Sequence, residues 1–218
     1  MPAGVNGIDA VLFDFGGVFT PSPFDAAEEL GAELGAAPGR VLEIVFGPYH
    51  EDTDHPWHRL ERGEIPLAEA RDAIVALGRA EGIDSDPYRL FAKLGRGEGA
   101  REPMVERARR LLARGYRTAL VTNNAHEFRD AWRRLVPADE LFEVIVDSSE
   151  VGVRKPDPRI FELTLTRLGG IAPERALFLD DAPSNVAAAE RIGLRAVLVR
   201  PDLRAALAAL DALLEAPR

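Results

Sequence analysis

The sequence predicts an α/β fold: an open parallel sheet flanked by helices, with an all-helical insertion after its first strand. Three observations carry this. Short β-branched and apolar runs recur at 8–13, 117–121, 142–146, 176–179 and 195–199, with helical patterns between them. The runs are nearly continuously apolar rather than alternating, as burial on both faces of a parallel sheet requires. The stretch 20–97 breaks the alternation with helical patterns alone.

The core helices are predicted over about 101–114, 125–135, 157–168, 184–192 and 201–215. In the first of these, Val105, Ala108, Leu111 and Leu112 recur at helical spacing, and Gly115 supplies a stop. Pro156, Pro183 and Pro201 stand where helices begin, a position proline tolerates. Inside the insertion the helical patterns cover about 24–35, 39–47, 66–80 and 87–94, separated by Pro-, Gly- and Asp-rich breaks. The predicted organisation is therefore a core of residues 1–19 and 98–218 with an inserted helical unit at 20–97.

A chain of 218 residues has room for one such core and a modest inserted module. Its 46% apolar and 29% charged residues are ordinary for a soluble globular protein. No run of about eighteen apolar residues exists, which argues against a membrane span. The opening MPAGVNGIDAVLF lacks a basic segment ahead of its apolar run, unlike a signal peptide. The absence of cysteine excludes disulfides and thiolate metal sites, and a cytoplasmic location is expected. A net charge of −9 argues against nucleic acid as a partner, because backbone binding needs lysine and arginine. A small phosphorylated ligand stays possible, since one lysine, a metal ion and helix N-termini can balance its charge. Oligomeric state is not legible here.

Right-handed crossovers restrict how five such strands can be ordered. With the first strand central, the order is 3-2-1-4-5, and the switch point lies beside it, where open α/β sheets bind ligands. The segments at the strand ends are Asp14-Phe15-Gly16-Gly17-Val18, Thr122-Asn123-Asn124, Val153-Arg154-Lys155-Pro156-Asp157 and Asp180-Asp181-Ala182-Pro183-Ser184-Asn185. Each residue alone has an ordinary explanation. Asp14 suits a turn, Thr122 and Asn123 a helix cap, Lys155 a solvated surface, and Asp181 an N-cap. Asn185 suits an anchor for its own loop. Brought to one sheet edge, they become three carboxylates, a hydroxyl and a lysine. Such carboxylates raise one another's pKa unless a cation intervenes, and a hard divalent ion, Mg²⁺ above all, answers that need. One carboxylate can then act as a nucleophile towards a phosphoryl group, with Lys155 and Thr122 stabilising the phosphoryl oxygens.

An Asp ending strand one, a Thr ending strand two, Lys-Pro before a helix and Asp-Asp ending strand four resemble the four motifs of the haloacid dehalogenase (HAD) superfamily. The match covers nearly the whole chain, in order. The insertion resembles that family's helical C1 cap. FDFGGV, the run at 60–65, RKPDP and FLDDAPSNV look like the branch holding the phosphatase domain of epoxide hydrolases and sugar-phosphate phosphatases. The resemblance implies a Rossmann-like core and a Mg²⁺-dependent phosphomonoester hydrolase acting on a small phosphorylated metabolite. Asp14 would be the nucleophile and a metal ligand, and Lys155 would neutralise nucleophile and phosphate. Thr122 and the Asn123 backbone N–H would hold phosphate. Asp180, Asp181 and the Gly16 carbonyl would complete the metal site.

The pattern departs from the family at Gly16, where its phosphatases usually carry a second Asp as general acid and base. General acid–base help is typically worth about 10²–10⁴-fold. A cap residue in YHEDTDHPWHR, with His50, Asp52, Asp54, His55 and His58, could substitute, or the leaving group could need little protonation. Two other readings stay open. One is a phospholigand-binding protein without turnover. The other is a metal-independent 2-haloacid dehalogenase, although those enzymes carry an aromatic residue at this place and the Asp180-Asp181 pair resembles metal-using phosphatases. The three histidines lack the spacing of a zinc site and suit surface or packing positions, as Trp57 and Trp132 suit packing.

Overall fold

A computed structural model describes residues 7–94 and 99–215. The core opens with strand β1 (Ala10–Phe13). Helices α1 (Pro23–Glu33), α2 (Arg40–Phe46), α3 (Pro56–Glu61), α4 (Leu67–Ala80) and α5 (Pro87–Leu94) follow as the insertion. The chain returns through α6 (Glu102–Ala113), β2 (Arg117–Thr122), α7 (Arg129–Leu135), α8 (Ala138–Leu141) and β3 (Val144–Asp147). It ends with α9 (Ser148–Val151), α10 (Pro158–Arg167), β4 (Ala176–Asp180), α11 (Pro183–Arg191), β5 (Arg195–Leu198) and α12 (Leu203–Glu215). The five strands are parallel and ordered β3-β2-β1-β4-β5, the order expected from crossover handedness. The 97/98 boundary of the insertion and residues 1–6 lie outside the described residues.

Side chains leave successive strand positions on opposite faces, so β1 feeds two cores. Val11 and Phe13 join one cluster with Leu120, Leu177 and Leu179, closed by α6 and by Ala206, Leu210 and Leu214 of α12. Ala10 and Leu12 join the other, with Val121, Phe178, Ile160 and Phe161. All four β1 residues are fully buried, which explains its unbroken apolar run. The insertion has a third cluster of its own, including Leu30, Val45, Leu60 and Ile74. Ala125 belongs to it and Phe128 packs against it, so the loop after β2 reaches up from the core. Phe91 of α5 meets Phe128 edge-on at 4.9 Å. No helix among the described residues is long and apolar enough to cross a membrane.

Four elements differ from the sequence expectation. Helix α3 was not predicted, because six residues are too few for a visible period. It forms through end effects: Pro56 occupies the first turn and the His55 side chain accepts a hydrogen bond from the Trp57 backbone N–H. The helix expected at 125–135 starts as a 3₁₀ turn, His126–Phe128, before α7. The single turns α8 and α9 are likewise too short to leave a periodic signal.

Gly78 in α4 has a packing role. A Cβ there would overlap the Ser85 hydroxyl and approach the Ile83 carbonyl at 2.5 Å, while Ser85 is itself fixed by donating to the Ile74 carbonyl. Helix propensity favours alanine over glycine by about 1 kcal/mol, but overpacking costs about 1–3 kcal/mol. Gly78→Ala is therefore expected to lower stability, by up to about 2 kcal/mol, in denaturant unfolding. An increase would show that the 81–86 loop yields freely.

Candidate active site

Strand register places the acidic residues. Phe13 lies opposite Leu179 on β4 and Leu120 on β2. One step further along, Asp14 and Asp180 become neighbours at the carboxyl edge, and Thr122 stands at the same edge on β2. The Asp14 backbone N–H donates to the Leu179 carbonyl, which continues the ladder past the strand end. The segment before α10 delivers Lys155, whose fully buried Nζ lies 2.7 Å from Asp14 Oδ1 and 2.7 Å from Asp180 Oδ2.

The Asn123 side chain fixes that segment in both directions. Its Nδ2 donates to the Lys155 carbonyl at 2.9 Å, and its Oδ1 accepts from the Lys155 N–H at 2.8 Å. The Lys155–Pro156 peptide is cis. Asp180 is held by the Ala182 N–H at 2.8 Å and by Asn185 Nδ2, 3.1 Å from each carboxylate oxygen. Asp181 accepts from Ser22 Oγ at 2.5 Å. It does not cap α11, whose N-cap is Ala182. Gly17 makes room for it: φ is 71°, and a Cβ there would overlap the Asp181 carboxylate.

The electrostatics follow from burial. Desolvation pushes Asp14 well above the carboxylate range, against the pull of Lys155 and with the push of Asp180 and Asp181. Burial, then Asp180, raises Asp181 from an ordinary value of 3.8 to about 7. Burial alone would lower Lys155, but Asp14 and Asp180 outweigh it and raise its pKa. Asp14, Asp180 and Asp181 each offer an oxygen within 4.8 Å of the others. Three carboxylates against one ammonium leave negative charge to balance, and all-oxygen donors suit a hard divalent cation. The set fits Mg²⁺.

The predicted residues thus converge: Asp14, Gly16, Thr122, Asn123 and Asp181 line one cavity of about 350 Å³, with Lys155 and Asp180 behind Asp14. The histidines do not. His50 is exposed and His55 caps α3. His58 is fully buried, its Nδ1 accepting from the Thr53 N–H at 3.0 Å. Burial, reinforced by Arg154, holds its pKa down to about 3.

Arg154 was missed. Its guanidinium is fully buried, donates from Nε to Glu61 Oε2 of α3 at 2.7 Å and lies 4.9 Å over the Tyr49 ring. Glu61 also accepts from Trp57 Nε1 at 2.8 Å. An arginine beside a motif lysine looks like a solvated charge until α3 is known to lie above it.

A family model for haloacid dehalogenase-like hydrolases matches residues 8–193. The chain belongs to this family. The chain is 32% identical to acyl-CoA dehydrogenase family member 10 of Mus musculus, over 99% of this chain and 20% of that protein. It is 31% identical to bifunctional epoxide hydrolase 2 of Rattus norvegicus, over 72% of this chain and 30% of that one. The chain therefore corresponds to well under half of these first relatives. A phosphatase of Mycobacterium tuberculosis is 29% identical, over 88% of this chain and 87% of its own. A solved HAD-like hydrolase of Porphyromonas gingivalis superposes with a TM-score of 0.65 at 25% identity, covering 93% of this chain and 97% of that one. The L-2-haloacid dehalogenase of Xanthobacter autotrophicus reaches 0.59 at 20% identity, over 92% and 81%, a likeness of fold alone. The chain is a HAD-like hydrolase with phosphatase-named relatives.

Two expectations follow from the site. Glu61→Ala removes the buried partner of Arg154 and leaves it the half-buried Asp52 at 3.5 Å, so it is expected to cost about 1–3 kcal/mol of stability, read by denaturant unfolding; a loss under about 0.5 kcal/mol would mean that Asp52 and solvent replace Glu61 fully. The acid cluster also sets a pH dependence. Between 3.8 and about 7 the folded protein keeps a proton on Asp181 that the unfolded chain has lost, so without a cation the cluster's contribution to stability falls as pH rises through this window. Mg²⁺ is expected to raise Tm more at about pH 7.5 than at about pH 5. An equal Tm increment at both pH values would dissociate the ion from these carboxylates.

Proposed function

We propose that the protein is a Mg²⁺-dependent phosphomonoester hydrolase acting on a small phosphorylated metabolite through an aspartyl-phosphate on Asp14. The observation that carries this is the buried Lys155 ammonium bridging Asp14 and Asp180, with Asp181 alongside. A nucleophilic carboxylate must be ionised, and Lys155 favours that form of Asp14 against the push of burial.

An Asp14 carboxylate oxygen attacks phosphorus, and the ester P–O bond breaks with its electron pair leaving on the alcohol oxygen. Water then attacks the phosphorus of the acyl-phosphate, the Asp14 O–P bond breaks, and inorganic phosphate leaves. The water supplies the proton that the alcohol finally carries. Thr122 and the Asn123 backbone N–H hold the phosphoryl oxygens, while the Asn123 side chain positions Lys155. Asp14, Asp180, Asp181 and the Gly16 carbonyl would hold the cation, which supplies charge neutralisation for nucleophile and phosphate to approach. The insertion, residues 20–97, acts as a cap over the core, residues 1–19 and 98–218. It keeps bulk water from the acyl-phosphate and selects the substrate. The phosphatase-named relatives support this reading over a dehalogenase.

The test is a panel of phosphate esters with Mg²⁺, with and without EDTA, beside Asp14→Asn. Phosphate release is expected to need the metal and to fall to background in the variant. Phospholigand binding without release from any ester would point to a silent receptor. Halide release from 2-haloacids without metal would replace the proposal with a dehalogenase.

A further inference from the structure

The cavity above Asp14 has a composition unlike that of a site for a sugar or a charged metabolite. Its walls are Phe24, Phe46, Trp57, Phe91, Phe128 and Trp132, with Leu94 and Leu135 beside them. Several rings are locked edge-on: Phe24 against Phe46 at 5.7 Å, and Phe46 against Trp57 at 4.9 Å. No lysine, arginine or histidine stands among the described residues lining it. A carboxylate finds no cation among these walls, and a polyhydroxyl body set against the rings leaves most of its hydroxyls unpaired, at roughly 1–3 kcal/mol for each, since the polar lining groups such as Asn123 and Thr122 lie at the strand-end floor. A flat apolar body loses nothing by entering and gains offset or edge contacts with the rings. The volume of about 350 Å³ lies at the small end of ligand cavities.

A second observation concerns the proton. The titratable side chains among the described lining residues are Asp14, Tyr49, Glu61 and Asp181. Asp14 is the proposed nucleophile. Glu61 is engaged by Arg154 and Trp57, and Asp181, which accepts from Ser22, would give up its proton as a ligand of the cation. Burial and the Glu61 carboxylate push the Tyr49 phenol well above its ordinary value, which makes it a poorer acid. Gly16, on the same wall, contributes no side chain. The leaving oxygen therefore meets no free acid and must depart with its electron pair unaided. An alkoxide, whose parent alcohol is about as weak an acid as water, leaves poorly under those terms. A phenolate, with a parent pKa of about 10, leaves far more readily.

From these two observations, the apolar aromatic walls and the missing proton donor, we infer that the substrate class is aryl phosphates: monoesters of a flat, apolar alcohol with an acidic hydroxyl. The inference rests on the proposed hydrolysis and narrows it. The Asp14 oxygen bonds to phosphorus, the aryl O–P bond breaks, and the phenolate leaves with the pair. The water that later cleaves the acyl-phosphate returns a proton to the phenolate, so atoms and charge balance.

The structure also supplies the means of testing it. Gly16 has no left-handed φ, and a Cβ there would meet only Pro23, at 3.5 and 3.7 Å, an ordinary contact. Gly16→Asp places a carboxyl on the cavity wall with the Gly16 backbone retained. The chain's two tryptophans, Trp57 and Trp132, both line the cavity, so intrinsic fluorescence reports binding without turnover.

The experiment measures kcat/KM with Mg²⁺ for phenyl and naphthyl phosphates against propyl and glycerol phosphates, in the wild type and Gly16→Asp. Alongside, phenylphosphonate and methylphosphonate are titrated by fluorescence. The wild type is expected to prefer aryl over alkyl esters by about 100-fold or more, and Gly16→Asp to shrink that ratio by about 10-fold or more through the alkyl esters. Phenylphosphonate should bind at least about 10-fold more tightly than methylphosphonate, and Phe91→Ala should erase most of that difference. Equal rates for the two ester classes in the wild type overturn the inference and leave the hydrolysis standing, and so does a ratio unmoved in a folded Gly16→Asp. Silence from every ester overturns the hydrolysis. The phosphonate titration then decides the ligand class by itself, tighter phenylphosphonate binding supporting it and equal binding overturning it.

Discussion

A single ammonium group held between two carboxylates organises the core. Lys155 is fully buried, and an unpaired buried ammonium would cost several kcal/mol in lost hydration. Asp14 and Asp180 remove that cost, and Lys155 in turn allows two carboxylates to sit side by side at the end of a sheet. The arrangement needs three separate segments to agree. The β1–β4 register sets the two acids abreast, Asn123 grips the lysine's backbone from the end of β2, and Asn185 with the Ala182 N–H steadies Asp180. Each partner's position is justified by the others.

Around this polar knot the molecule is mostly apolar. Two clusters clothe the sheet, and a third organises the insertion. The insertion meets the core through the Phe91–Phe128 ring pair, the buried Arg154–Glu61 ion pair and hydrogen bonds such as Ser22 to Asp181 and Ser184 to the Tyr49 carbonyl. The cavity between them inherits this character: a charged floor from the strand ends and aromatic walls mainly from the helices above. The insertion adds Tyr49 and Glu61 to the polar lining.

Much of this was legible in the sequence, for identifiable reasons. Strand order followed from the runs and from crossover handedness, because a doubly covered parallel sheet leaves a strong, nearly unbroken apolar signal. The convergence of Asp14, Thr122, Lys155 and the 180–181 pair followed because chemistry at strand ends is fixed once the order is known. Helix α3 escaped because its stability comes from the His55 cap and Pro56 rather than from a periodic face. The side-chain role of Asn123 escaped because a clamp on a backbone 32 residues away has no local signature. Trp57 and Trp132 looked like packing residues, and both are well buried. That they also wall the cavity depends on how the insertion settles on the core, which periodicity does not encode.

The Arg154–Glu61 contact has a bearing on how the two parts separate. Prising apart an all-apolar joint returns nothing to the solvent but unfavourable surface. A joint that contains a desolvated guanidinium and carboxylate is different, because parting restores hydration to both ions together and refunds much of what docking cost. The joint between insertion and core is thus nearer to energetic balance than its greasy flanks alone would suggest.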